Sequence, residues 1–362
     1  MNARAHQAVL LTLLACAAVA AVAAQGMAMD GALPADTAAA PRWLSQTGLY
    51  DDDGAIAAGN RPFTPQYPLW TDGADKARWI HLPDGARIDV TDADAWRFPV
   101  GTKLWKEFAW NGRKVETRLM WLPAPDQWVF AAYVWDEAQR DAELAPEGGV
   151  PGAYEVAEGR RHSIPGRADC LACHAASPTT VLGFSALQLS DDRDPLAPHA
   201  EPLPAGAVTL RTLVAEDRLS PSRPEWAASP PRIRASDPVE RAALGYLAAN
   251  CGACHNDRGS LARLGLSLHH DVAADPFAPE PAMLTALNAP GRWQVPGVAP
   301  DSSRVVAPGA PERSSLAYRL ASRRPSSQMP PLGTVVRDDE GLELVRRWIA
   351  EMGEKDVVVG GR

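Results

Sequence analysis

Leu104-Trp105-Lys106-Glu107-Phe108-Ala109-Trp110-Asn111-Gly112-Arg113-Lys114-Val115-Glu116-Thr117-Arg118-Leu119-Met120-Trp121 reads as two strands joined by a tight turn. Leu104, Lys106, Phe108 and Trp110 alternate with Trp105, Glu107 and Ala109, and Val115, Thr117, Leu119 and Trp121 carry the two-residue period onward. Between them Asn111-Gly112 is the pair that most readily takes the positive φ angles of a two-residue hairpin turn. A further run, Trp128-Val129-Phe130-Ala131-Ala132-Tyr133-Val134-Trp135, follows within a short turn, so the strands are expected as an antiparallel meander. Working outward, residues 61–150 are predicted to be a Trp-rich β domain. Residues 25–60, rich in Ala, Asp and Gly without period, read as a leader or linker.

Nine of the twelve Trp lie before residue 136. Stacked Trp faces could form a platform for a sugar or polymer. The Trp of the hairpin alternate between both faces, however, which suits rings filling the core of a small sheet, and no paired carboxylates accompany them for glycoside hydrolysis.

At 362 residues, with 46% apolar and 22% charged side chains, the chain has the composition of a folded soluble protein of two or three domains. Its net charge of −8, with no stripe of Lys and Arg, argues against nucleic acid as a partner. Residues 1–24 read as an export signal: Arg4, an apolar run from Ala8 to Ala24, and small residues before Gln25. An uncleaved anchor competes, although the run is short and Ala-rich for a span. Leu13-Leu14-Ala15-Cys16 also resembles a lipobox, which would make Cys16 a lipid attachment point. Export implies a periplasmic location, with a membrane-anchored form as the variant.

The four cysteines beyond residue 24 all fall in two copies of one pattern, Cys170-Leu171-Ala172-Cys173-His174 and Cys251-Gly252-Ala253-Cys254-His255. Two thiols three residues apart on one helical turn can each add to a vinyl group of one haem, while the adjoining imidazole reaches the iron. A thioredoxin-like redox pair has no use for the following His twice, and a four-Cys zinc site leaves both His unexplained. The pattern therefore predicts two covalently bound haem c groups, with His174 and His255 as iron ligands.

The C-terminal part reads as a small cytochrome c module over 236–356. Asp237-Pro238 opens a helix whose apolar positions Val239, Ala242, Ala243, Tyr246 and Leu247 follow the helical period and lead into Cys251. Met329-Pro330-Pro331 lies in a loop before a last amphipathic helix marked by Leu342, Val345, Trp348, Ile349 and Met352, so Met329 is the expected distal ligand of the second iron. The first haem region, 151–235, has no Met after its motif; the next is Met283. Its sixth ligand is open among His199 (the tentative choice), Met120, His162 and none at all. His269 and His270 read as ordinary side chains. The fold class is thus expected to be α+β, the antiparallel β domain followed by a mostly α-helical haem-binding region.

Pro68-Leu69-Trp70-Thr71-Asp72-Gly73-Ala74, Phe98-Pro99-Val100-Gly101-Thr102, Glu116-Thr117-Arg118-Leu119, the stretch Cys170 to Ser190 and the Met329 loop together resemble a bacterial family of exported di-haem c-type cytochromes, over roughly residues 40–354. The resemblance implies haem binding and electron transfer, with haem roles on Cys170, Cys173, His174, Cys251, Cys254, His255 and Met329. It supplies neither a substrate nor a sixth ligand for the first iron. The expected function is electron transfer between periplasmic redox proteins. The alternatives are a di-haem peroxidase or oxidase with an open first iron, and a cytochrome fused to a ligand-binding sheet.

Overall fold

Alternation along the chain builds a six-stranded antiparallel sheet in the order β1-β2-β4-β5-β6-β7. Its strands are β1 (Asn60–Pro62), β2 (Asp75–His81), β4 (Lys103–Trp110), β5 (Arg113–Ala124), β6 (Gln127–Trp135) and β7 (Ala142–Leu144). The computed structural model describes residues 39–359, with the backbone alone for 353–359. The export-signal and Cys16 readings lie outside the described residues. Asn111 and Gly112 take φ of 52° and 73°, the left-handed pair that a type I′ hairpin turn requires, and they set the register Trp110↔Arg113 to Lys103↔Trp121.

The two faces of this sheet bury different things. On one face Trp105, Leu119, Ala131, Tyr133 and Trp135 form a core with Leu44 and Leu49. Leu44 and Leu49 are fully buried, Thr47 accepts a hydrogen bond from Trp105 Nε1 at 3.0 Å, and so residues 40–60 belong to the folded body and are not the linker expected. Two isolated Leu in an Ala- and Asp-rich stretch carry no period, which is why the sequence pattern hides them. The other face presents Leu104, Met120 and Phe130 in one cross-strand row and Arg78, Lys106 and Arg118 in the next. Trp96, Trp105, Trp110 and Trp135 are all buried.

β3 (Ile88–Asp89) pairs in parallel with β10 (Leu219–Ser220), and β8 (Val150–Ala157) forms a separate antiparallel hairpin with β9 (Arg160–Ile164). The helices are α1 (Arg167–His174), α2 (Leu210–Ala215), α3 (Glu225–Ala228), α4 (Pro238–Asn250), α5 (Pro281–Ala286), α6 (Ser315–Ala321) and α7 (Asp339–Val359). The class is therefore mixed α+β. The segment 151–235 opens on strands, and its helices are short.

In the C-terminal part, Asp237 caps α4 by accepting from the backbone N–H groups of Val239 and Glu240 at 2.8 and 2.9 Å. Val239, Ala243, Tyr246 and Leu247 then pack against Leu342, Val345, Trp348 and Ile349 of α7. The helices approach closely because Gly341 meets the Tyr246 ring, where a Cβ would collide. Among the described residues, no helix is long and apolar enough to cross a membrane.

Candidate functional site

The first C-x-x-C-H motif occupies α1, whose start is fixed by the Asp169 carboxylate accepting from Gly166 N–H at 3.0 Å. Helical spacing puts Cys170 and Cys173 on one turn. The helix lies against β6, with the His174 ring 5.2 Å from that of Phe130. The Nδ1 of His174 lies 2.7 Å from the carbonyl oxygen of Thr180; a carbonyl can only accept, so Nδ1 carries the proton and Nε2 keeps its lone pair. Burial lowers the pKa of this imidazole to about 4, which holds it neutral at ordinary pH.

The second motif starts where α4 ends. Asn250 is its last residue, Cys251 N–H donates to Leu247 at 2.8 Å, and His255 N–H donates to Cys251 at 2.8 Å, so the turn continues through the motif. The Nδ1 of His255 is buried without a hydrogen-bond partner among the described residues. Burial drives the Cys251 thiol up to about 12.

The structure brings the two motifs together. The thiols of Cys173 and Cys254 act on one another, which raises the pKa of Cys173 and lowers that of Cys254. Behind them the segments continue in contact: a Cβ at Gly259 would collide with the Ala176 carbonyl. All four thiols are free of disulfides. No family model, curated protein or solved structure matches this chain.

The donors fit a c-type haem in each motif. Each has two unpaired thiols on one turn, and His174 is held in the tautomer that ligates through Nε2, oriented by a backbone carbonyl as metal-bound imidazoles usually are. Among the described residues no three His, Cys, Asp or Glu side chains are grouped as around a bare metal ion, an arrangement a haem iron does not need.

Met329 is half-buried, and its N–H donates to Arg319 of α6 at 3.0 Å, the residue whose charge also acts on His255. The loop and the second motif thus meet around one helix. His199 is committed elsewhere: its Nε2 faces Asp338 at 2.8 Å, its Nδ1 faces Glu340 at 3.3 Å, and its ring meets that of Trp70 at a tilt, 4.7 Å between centres. Neither nitrogen is free for iron, which corrects the tentative ligand assignment. His162 is likewise held between Asp72 at 3.3 Å and Glu116 at 2.9 Å. His270 faces Glu280 at 3.0 Å, and His269 lies 3.9 Å from Asp94. Met120 lies directly across the strand pair from Phe130, the ring that meets His174.

Asp72 escaped the sequence reading as a functional position. Its Oδ1 accepts from Thr334 Oγ1 at 2.7 Å and from the N–H groups of Val335 and Val336 at 2.7 and 2.8 Å. Two residues earlier, Trp70 N–H donates to Asn250 Oδ1 at 2.8 Å and its Nε1–H to Val336 at 3.0 Å. The Trp70–Asp72 segment therefore ties the chain just before Cys251 to the loop that follows Met329. Its partners lie 180 to 266 residues away, so no local pattern announces it.

Around His162, burial opposes the charged form, but the hydrogen bonds to Asp72 and Glu116 outweigh it and raise the pKa. For Glu116 burial is outweighed by the Arg118 charge and the His162 bond, and its pKa falls to about 2.

Proposed function

We propose that this protein is an exported di-haem c-type cytochrome that passes electrons between redox partners in the periplasm. Cys170 and Cys173 hold one haem and Cys251 and Cys254 the other, with His174 and His255 as proximal ligands, Met329 distal to the second iron and Met120 distal to the first. The single observation that carries this reading is the close approach of the two motif segments, where Gly259 meets the Ala176 carbonyl so tightly that a Cβ would collide, which brings the attachment points of the two groups near one another. Each haem supplies one-electron chemistry when bound, and adjacent attachment is what exchange between two such centres needs. The Trp-rich sheet contributes the wall that covers the first motif, through Phe130 on His174.

A second reading, a di-haem peroxidase, draws on the commitment of both His162 and His199 to carboxylates, which leaves Met120, of the candidates considered, to decide between a closed first iron and an open one. The test is made on protein exported alongside the haem-attachment machinery. A denatured pyridine haemochrome assay should count two covalent haems per chain, and the oxidised protein should be low-spin until Met120→Ala creates a high-spin, cyanide-binding centre. Acid-extractable haem, or fewer than two haems, rejects the proposal. A high-spin wild type that consumes peroxide replaces transfer with peroxidase activity.

A further inference from the structure

Four cations crowd one half of the sheet face that borders the first motif. Antiparallel register sets Arg78, Lys106 and Arg118 directly across from one another on β2, β4 and β5, and Lys76 across from Phe108 one step further along. The Phe108 ring is the floor of the cluster, with Lys106 Nζ 4.8 Å and the Arg118 guanidinium 4.4 Å from its centre. Two of the charges are matched. Arg118 is paired with Glu116 at 2.6 Å, and Arg78 with Glu201 at 2.6 Å. The side chains of Lys76 and Lys106 have neither a hydrogen bond nor an ion pair among the described residues, and Lys106 lies over the Phe108 ring.

The groups facing Lys106 are Arg78 and Lys76 from β2, Arg118 from β5 and Glu201 from the loop beyond α1; with Glu116 on Arg118, two carboxylates answer four cations. Desolvation and this like-charge crowding push the Lys106 pKa well down, and burial brings Lys76 to about 8. Such an arrangement is costly unless an anion completes it. A cleft of about 690 Å³ opens at the cluster, lined by Lys76, Arg78, Trp70 and Glu201 among others. At the other side Arg118 acts on Cys170 and Cys173, and both Lys106 and Arg118 act on His174. The excess of positive charge thus sits between an open cleft and the first attachment motif.

We propose that Lys76 and Lys106, flanked by Arg78 and Arg118, are the seat of a dicarboxylate, supplied by the two propionates of the haem attached at Cys170 and Cys173. This rests on the di-haem reading. The shared chemistry is a pair of carboxylates on a short apolar spacer, and a free dicarboxylate is the rival source.

The experiment uses the exported holoprotein with spectropotentiometric titration of each haem. Taking a positive charge away from beside the propionates favours the ferric state, so Lys106→Gln should lower the potential of one haem, the one that Met329→Ala leaves unmoved. Lys76→Gln should do the same to a smaller extent, and Lys106→Arg should restore the wild-type value, which a merely structural defect would not allow. A parallel arm titrates succinate into wild type and Lys106→Gln. Potentials unchanged in both Gln variants overturn the propionate assignment; if succinate then binds wild type and loses tenfold or more in affinity in Lys106→Gln, the site belongs to a free dicarboxylate. Fewer than two covalent haems in wild type defeats the di-haem reading itself, and the haemochrome count reports that separately from the potentials.

Discussion

Replacing Asp72 by Ala should destabilise the protein strongly. The carboxylate is 4% exposed, and its Oδ1 alone answers Thr334, Val335 and Val336, while Oδ2 faces His162 at 3.3 Å. A hydrogen bond to a charged group contributes about 1.5–3 kcal/mol, but bonds that share one oxygen do not add. Removing one partner from a buried ionic network costs about 3–5 kcal/mol, because the donors left behind remain desolvated. The expected loss for Asp72→Ala is therefore about 4 kcal/mol, a large share of the roughly 5–15 kcal/mol typical of a folded protein. Asp72→Asn retains an acceptor at the Oδ1 position and should lose about half as much. Urea unfolding followed by far-ultraviolet circular dichroism measures both, with equal slopes required for the comparison. A loss below about 1 kcal/mol in Asp72→Ala would refute the idea that this carboxylate holds the loop after Met329.

The buried His162–Glu116 pair sets a stability window. The raised pKa of His162 gives stability that is complete below its unfolded value, about 6.5, and is lost as pH rises through the folded value. The lowering of Glu116 from 4.5 to about 2 gives roughly 3 kcal/mol that is present above pH 4.5 and is lost as pH falls towards 2. Denaturation midpoints should thus decline on both sides of a plateau at pH 5–6, and His162→Gln should flatten the alkaline limb; an unaltered limb in that variant contradicts the assignment. If Met329 ligates the second iron, Met329→Ala should abolish the weak long-wavelength thioether band of the ferric protein and lower that haem's potential, and an unchanged spectrum rejects the ligand. Gly259→Ala forces a Cβ into the Ala176 carbonyl and should cost about 1–3 kcal/mol by overpacking, read as a drop in thermal midpoint, whereas a neutral effect means the contact yields easily.

Features with a short-range cause were legible in the sequence. Asn111-Gly112 announces the hairpin, Asp237-Pro238 the start of α4, and the spacing of Leu342, Val345 and Ile349 the inner face of α7, because each is a matter of a few neighbouring residues. The thiols and imidazoles of the two motifs were legible for the same reason. Contacts that owe their existence to distant partners were not. Leu44 and Leu49 become core only because β4 and β5 come to cover them. His162 and Asp72 look like ordinary surface residues until Glu116 and Thr334 arrive from 46 and 262 positions away. His199 shows the opposite failure: a spare imidazole in sequence is already occupied in space, by Asp338 from 139 residues downstream.

The span from Asp72 to Thr334 has a consequence in time. Closing a loop of 262 residues costs chain entropy before any contact rewards it, so pairing of this kind comes late in folding. Until the last part of the chain has emerged and returned to Asp72, the Met329 loop has no anchor on the sheet and the neighbourhood of Cys251 remains untethered. Under the di-haem proposal, an enzyme that must reach the four thiols would meet them during that interval, when the chain is still slack. The contact that locks the finished molecule is in this sense also a clock, and it starts only when residue 334 has joined the chain.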